Sequence, residues 1–355
     1  MTISRVCYVT REQVARAPDF KFTARLNDAV DRAIESASDN VDGFLNRRFF
    51  TAIETNKWDW PNWQYTYPWR LWLDEHELAD TPTLVTTGSL GTPITIPSSS
   101  YTLWPYSGPP YRRLELRLDR PAFFGGGPTP QQDISITGPF GYWLRTKSAG
   151  VLAVAMNDTV TGLATVSNGS LVGVGDQLIV GSERMLVQEK ATVTTTQTNL
   201  AGLTTDSVAD AAVTVTDGTK VSLGEVLLID SERLFVYDIT GNVLLVKRGW
   251  DGTILATHNL GTTLFAYRVL TVTRGDFGTT AATHSQNAAA SVSLVPPQIR
   301  DLALAEAVVQ VTNEPGAYAS MQGGEGAVSG LGASLADKWE EAEANYGRKT
   351  RKYAI

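Results

Sequence analysis

Between Phe22 and Leu45 the residues Phe22, Leu26, Ala29, Ala33, Ile34, Ala37, Val41, Phe44 and Leu45 recur mainly at steps of three and four. That spacing puts them in one apolar stripe of an α-helix. Arg25, Asp28, Asp31, Arg32, Glu35, Asp39 and Asp42 fall on the other side. The pattern predicts one long amphipathic helix over 23–48 with Thr23 as its N-cap, roughly 36 to 39 Å long at 1.5 Å per residue. A helix of that length either crosses a whole core or packs against copies of itself. Just ahead, Thr10-Arg11-Glu12-Gln13 has capping-box spacing and opens a short helix that stops before Pro18.

Beyond Phe50 the pattern changes. Trp58, Trp60, Trp63, Tyr65, Tyr67, Trp69 and Trp72 crowd together. They form either a loop that covers a hydrophobic edge or, with the five tryptophans as anchors, a contact surface of the kind in which Trp and Tyr are enriched. From Arg70 to Thr137 short apolar runs, several of them alternating, are separated by Pro, Gly and Ser, which predicts a small antiparallel sheet. Gly125-Gly126-Gly127-Pro128 has no following helix or Lys-Thr pair, so it is a flexible loop and not a phosphate-binding one.

The middle of the chain repeats. Residues 165–187 align without a gap on 214–236, with Ser182-Glu183-Arg184 matching Ser231-Glu232-Arg233. A second match has another offset: 243–258 aligns on 269–284, pairing Arg248 with Arg274, Gly249 with Gly275 and His258 with His284. Two offsets do not come from a plain tandem duplication. They follow if a second unit, about 204–267, is inserted into the hairpin of the first, a site where insertion is well tolerated. Residues 269–294 then pair back with 165–190, and Val187 lies opposite Val272 instead of Val246.

After Leu294 helical spacing returns. Pro296 and Pro297 suit a helix start. Ile299, Leu302, Ala303, Glu306, Val309 and Thr312 line its inner face, and Glu314-Pro315-Gly316 ends it. Leu26, Ala33 and Val41 are expected to pack against Leu302 and Val309. Glycines make 316–333 a flexible linker. A last helix starts at Ser334-Leu335-Ala336-Asp337 and carries Leu335, Trp339, Ala342 and Tyr346 on one side, followed by a basic tail. The fold class this predicts is α+β: a helical core of the long N-terminal helix and the C-terminal helices, a small antiparallel sheet, and a large all-β inserted domain. The boundaries fall at 1–148, 149–295 and 296–355.

Composition narrows the chemistry. The 355 residues allow two or three domains and 43% apolar residues are enough for a core in each, while a net charge of −7 does not recommend the surface as a general phosphate-backbone binder. One cysteine, Cys7, excludes an intrachain disulfide, and three histidines leave little for a metal. No apolar run reaches the length of a membrane span and the N-terminus lacks a signal-peptide core, so the chain reads as soluble and made inside the cell. His258 and His284, each behind a Gly-Thr turn, fit a paired catalytic or metal site less well than residues that fix a turn. The Ser-Glu-Arg motifs lack a histidine at a suggestive spacing, so a hydrolase triad has no basis, and alternation along a strand puts Glu183 and Arg184 on opposite faces in surface or cross-strand roles. No catalytic site, cofactor or metal is expected.

Several segments carry a resemblance. They are Tyr8-Val9-Thr10-Arg11-Glu12-Gln13, the helix ending Phe44-Leu45-Asn46-Arg47-Arg48-Phe49, Pro97-Ser98-Ser99-Ser100-Tyr101, 109–116, 299–306 and Tyr346-Gly347-Arg348-Lys349. Their order resembles the head-to-tail connector (adaptor, or head-completion) proteins of long-tailed bacteriophages, over about 1–148 and 296–355. The β-region departs from that family's compact plan and looks like modules of phage structural proteins. The resemblance implies a structural protein of the virion, assembled in the host cytoplasm as a homo-oligomeric ring, expected to be a dodecamer, with no membrane association. The ring would join the portal protein to the next connector, stopper or tail-completion protein and let genomic DNA pass. It also implies portal binding by the C-terminal segment, with Trp339, Tyr346, Arg348, Lys349, Arg351, Lys352 and Tyr353 as the residues expected to carry it. The competing reading is a carbohydrate- or host-surface-binding β-module protein of a virion.

Overall fold

The computed structural model describes residues 2–17, 26–62, 66–74, 76–204, 209–319 and 329–349; for 314–319 and 329–334 it describes the backbone alone. Thr23, Trp63, Arg351, Lys352 and Tyr353 lie outside the described residues. Two helices, α1 (Arg11–Ala15) and α2 (Asn27–Leu45), open the chain. A four-stranded sheet follows in the order β1 (Ala52–Trp58), β7 (Ile134–Phe140), β3 (Leu84–Thr87), β4 (Ile94–Thr95). A three-stranded sheet orders β2 (Arg70–Trp72), β6 (Arg113–Leu116), β5 (Tyr101–Trp104). A 10-stranded antiparallel sheet then runs from β8 (Thr146–Val151) to β17 (Ala289–Ser293), before α3 (Pro297–Ala319) and α4 (Ser329–Tyr346).

This corrects the expected fold class. With 34% strand against 21% helix, the chain is mostly β and the 10-stranded sheet is its largest element. Three of the buried apolar clusters are built from strands and their loops. The helices share theirs with Val174 and Leu186 of the large sheet region, so a helical core does not organise the molecule. A helix announces itself within one local stretch, whereas this sheet depends on pairing between distant short runs.

α2 is shorter than the periodicity predicts, with Leu26 at its N-cap position and Asn46 in the left-handed conformation at its end. Val30, Ile34, Val41 and Leu45 are fully buried, each contributing about 1.5–3 kcal/mol. Part of the charged side of α2 is also covered, while Asp28, Arg32 and Asp39 stay exposed. Ser4 donates to Glu35 through its backbone N–H and hydroxyl, the Tyr8 N–H donates to Ser38, and the Tyr8 hydroxyl donates to Asp42. Arg11 meets Asp31 through two hydrogen bonds of 2.8 and 2.7 Å. Segment 3–11 thus lies along what the sequence pattern takes for the solvent face, and the buried carboxylates there are paired, as burial requires.

α3 buries Ile299, Leu302, Ala303, Ala307 and Val311. The 3.6-residue period carries the stripe through 303, 307 and 311. Val309 is therefore left half-buried at the edge and Thr312 is exposed, while Leu26 is only half-buried; the expected set keeps Ala33, Val41 and Leu302 as core. Pro315 does not end α3, which continues to Ala319; a proline forfeits one i→i−4 bond, and the helix persists around it. Ser334 lies inside α4, not at its cap.

The large sheet contains two copies of one plan. The outer unit pairs β9 (Leu163–Thr165), the C-terminal half of β16 (Thr263–Thr273), the N-terminal half of β11 (Glu183–Thr198), β10 (Gln177–Val180) and β17. The inner unit pairs β12 (Asp210–Thr214), β15 (Val243–Lys247), β14 (Glu232–Thr240), β13 (Val226–Ile229) and the N-terminal half of β16 in the same order. Val187 lies opposite Val272 and Val236 opposite Val246, each followed by a bulge at the equivalent place. β11 and β16 form a ribbon that leaves the outer unit and enters the inner one.

Candidate interaction surface

The repeated motifs meet at one buried carboxylate in each unit. Glu183 accepts from Arg274 at 2.7 and 2.9 Å, from the Gly275 and Ala282 N–H groups, and faces His284 Nε2 at 2.7 Å. Glu232 accepts from Arg248 at 2.9 and 2.7 Å, from the Gly249 and Ala256 N–H groups, and faces His258 Nε2 at 2.8 Å. In the inner unit alone, Asp230 adds a contact to His258 Nδ1. Burial pushes both glutamates up, but the arginine, backbone and histidine donors outweigh it and hold each carboxyl at about 2. Every oxygen has donors, so the site is saturated and offers no open position for a nucleophile or metal. The histidines fix the loop that follows each Arg-Gly pair, as the repeat suggests.

Glu183 and Arg184 do leave the strand on opposite sides, but neither has a surface role. Arg184 turns toward the N-terminal half, where it donates to Thr51 Oγ1 at 2.6 Å, and both residues are buried.

The aromatic cluster divides. Trp58 and Trp60 are 7% and 3% exposed and belong to the core of the two small sheets, so they are corrected from interface to core. Trp69 packs partly on that core. Trp72 is 37% exposed. It joins two residues that the spacing along 58–72 does not include. On β2, β6 and β5 the leucines Leu71, Leu114 and Leu103 face the core, so alternation turns Trp72, Arg113 and Trp104 outward. These three sit side by side, with the Arg113 guanidinium 4.7 Å from the Trp72 ring and 4.6 Å from the Trp104 ring. The period-2 alternation of 101–104 and 113–116 carries this signal.

The C-terminal residues expected to bind a portal are engaged within the chain. Trp339 packs edge-on against Phe44 at 4.8 Å, and Tyr346 against Phe49 at 5.3 Å and Tyr142 at 5.5 Å. Arg348 lies over Phe44. The Lys349 N–H donates to the Leu45 carbonyl, Asn46 donates to the Lys349 carbonyl, and Lys349 Nζ sits 3.5 Å from Glu77. Burial, only partly offset by Glu77, lowers the Lys349 amine to about 8. The apolar stripe of α4 thus has its partners within the chain, in α3, in Phe44 of α2 and in the residues beyond α2.

Two clefts, one beside α1 and one beyond the end of α2, have volumes of about 90 and 250 Å³, below the roughly 300–1,000 Å³ of ligand pockets. Among the described residues no group of three or more His, Cys, Asp or Glu is placed to hold a metal ion, and no helix is long and apolar enough to cross a membrane. Comparison with protein-family models, curated proteins and solved structures gives no match for this chain.

Proposed function

We propose that the chain is a structural component of a virion. It assembles as a ring of identical copies that joins the portal of a DNA-filled head to the tail-proximal connector and lets the genome pass. One observation supports this most: segments that carry the resemblance, although far apart in sequence, come together in space. Thr10 and Gln13 form the capping box. Tyr8 accepts from the Phe49 N–H, Arg47 donates to the Gly347 carbonyl, and Asn40 donates to Glu306. They behave as one constructional unit with the β-region emerging from it. Added bulk of that kind fits the outside of a ring, where it does not block the bore.

Electron microscopy and mass photometry of the purified chain, alone and mixed with a portal protein, test the proposal. Rings, alone or on the portal, are the expected result. Monomers under both conditions would remove it. A second reading, sugar or host-surface binding, is favoured by the exposed aromatic residues Trp72 and Tyr106; reproducible glycan-array binding without ring formation would put it first.

A further inference from the structure

The two units of the large sheet carry the same loop ahead of their SER hairpins. In the outer unit it is Gly173-Val174-Gly175, in the inner unit Ser222-Leu223-Gly224. Both take one conformation: the Gly173 and Ser222 N–H groups donate to the carboxylates of Asp176 and Glu225, and the Gly175 and Gly224 N–H groups donate to the Val187 and Val236 carbonyls. The residue after each of those valines is the extra residue of a bulge, Gln188 in the outer unit and Tyr237 in the inner.

The chain fills the outer loop with its own N-terminal segment. The Cys7 N–H donates to the Gly175 carbonyl at 2.9 Å and the Arg11 N–H to the Val174 carbonyl at 3.2 Å. The Val174 N–H donates to the Glu12 carboxylate at 2.9 Å, and Gln188 donates to the Ile3 carbonyl at 3.2 Å. Val174 is fully buried in the helical cluster as a result. At the inner loop Arg16 donates to the Gly224 carbonyl, but Leu223 is 59% exposed and Tyr237 40%. Among the described residues neither the N–H nor the carbonyl of Leu223 has a hydrogen-bond partner. One exposed leucine says little. Here an exposed leucine and tyrosine stand, with unused backbone groups, where the sister unit is buried under an extended segment.

We propose that the Leu223 loop and Tyr237 are a docking seat for an extended apolar segment of a partner protein. The outer unit shows what such a segment brings: a backbone N–H for the Leu223 carbonyl, a carboxylate beside it for the Leu223 N–H, and apolar side chains for Leu223 and Tyr237. Main-chain hydrogen bonds then supply affinity and the two side chains selectivity, as in other extended-peptide sites. Another copy of this chain does not supply the segment. In each copy residues 4–11 are held in place by Ser4 on Glu35, Arg5 on Asp42, Tyr8 on Ser38 and Arg11 on Asp31. The seat follows from the repeat and does not depend on the ring reading above.

A labelled synthetic peptide of residues 2–13 is the probe, because it carries the chemistry that the outer loop takes. Added to the full chain, whose outer loop is already filled, it should bind saturably by fluorescence anisotropy. Leu223→Asp, at an exposed site that folding tolerates, should weaken binding about tenfold by setting a charge against the peptide's apolar residues. Glu12→Gln in the peptide should weaken it as well, because the Leu223 N–H then loses a charged acceptor. A peptide that does not saturate, or that binds the Leu223→Asp chain as it binds the unmodified one, would overturn the seat. Mass photometry of Leu223→Asp without peptide reads the other occupant: a smaller assembly than that of the unmodified chain would mean that another copy fills the seat, and would overturn its assignment to a partner protein.

Discussion

Glu232 is a carboxylate with no exposed surface, held by five donors from four residues that the chain brings back to it. Removing its charge leaves Arg248 buried and uncompensated, so Glu232→Gln should cost about 3–5 kcal/mol at pH 7. The pH dependence has a definite sign. The folded carboxyl at about 2 lies below its ordinary 4.5, so its contribution is complete above pH 4.5 and is lost as the pH falls toward 2. Over that window it amounts to something on the order of 3 kcal/mol, with Glu183 behaving alike. Asp176 acts oppositely. Burial raises it to about 6, so the fold gains stability as the pH falls from 6 toward 4. Urea unfolding from pH 7 to pH 2 should therefore show a loss below pH 4.5 that is roughly halved in E183Q or E232Q. An acid limb unchanged in both variants would place its origin elsewhere. In the sequence, the recurrence of Ser-Glu-Arg and of Arg-Gly with His is plain. That the two motifs join is not, because Glu183 and Arg274 lie 91 residues apart and nothing local links an acid to a distant arginine.

At the scale of elements, α4 carries the sharpest lesson about apolar stripes. The spacing of Leu335, Trp339, Ala342 and Tyr346 makes a one-sided helix legible, but a stripe looks the same whether its partner is another protein or the same chain. Here the partners are α3, α2 and the residues beyond α2, and the backbone of 347–349 is tied to Leu45, Asn46 and Arg47. The charged side of α2 misleads for the converse reason. Asp31 and Glu35 are spaced like solvent residues, yet a short segment with an arginine and a serine covers them. Trp339→Ala should accordingly act on folding: about 2–3 kcal/mol, below the 3–5 of a fully buried aromatic, because Trp339 is only half-buried. Chemical denaturation would read that loss directly. A variant with an unchanged midpoint that fails only to join portal-bearing heads would return this face of α4 to the role of a docking surface.

At the scale of the whole molecule, the nested units were legible because two repeat offsets admit few topologies, and the register of Val187 with Val272 is the one that nesting requires. The joint between the sheet and the helices was not legible. Val174 and Leu186 sit in the helical cluster, the Cys7 N–H donates to the Gly175 carbonyl, and Arg184 reaches Thr51. Each is a strand or loop position whose sequence context gives no hint of a second partner. These contacts shift the separable piece from the whole of 149–295 to the inner unit. Among the described residues that unit meets the helical part through Arg16, which donates to the Gly224 carbonyl and lies over Phe235. The inner unit also contains its own template for closing the gap. Its hairpin joins Thr240 to Val243 through Gly241 and Asn242, and the equivalent pair in the outer unit is Ala191 with Val269. Replacing 192–268 by Gly-Asn should therefore restore a plain hairpin at that point, since the flanking register is already correct and short turns of this kind suit antiparallel strands. The shortened chain should be soluble, melt cooperatively and keep the oligomeric size of the full chain. An insoluble product, or one lacking the near-ultraviolet signal of packed Phe49 and Tyr346, would mean that the outer unit needs the inner one to hold its strands in place.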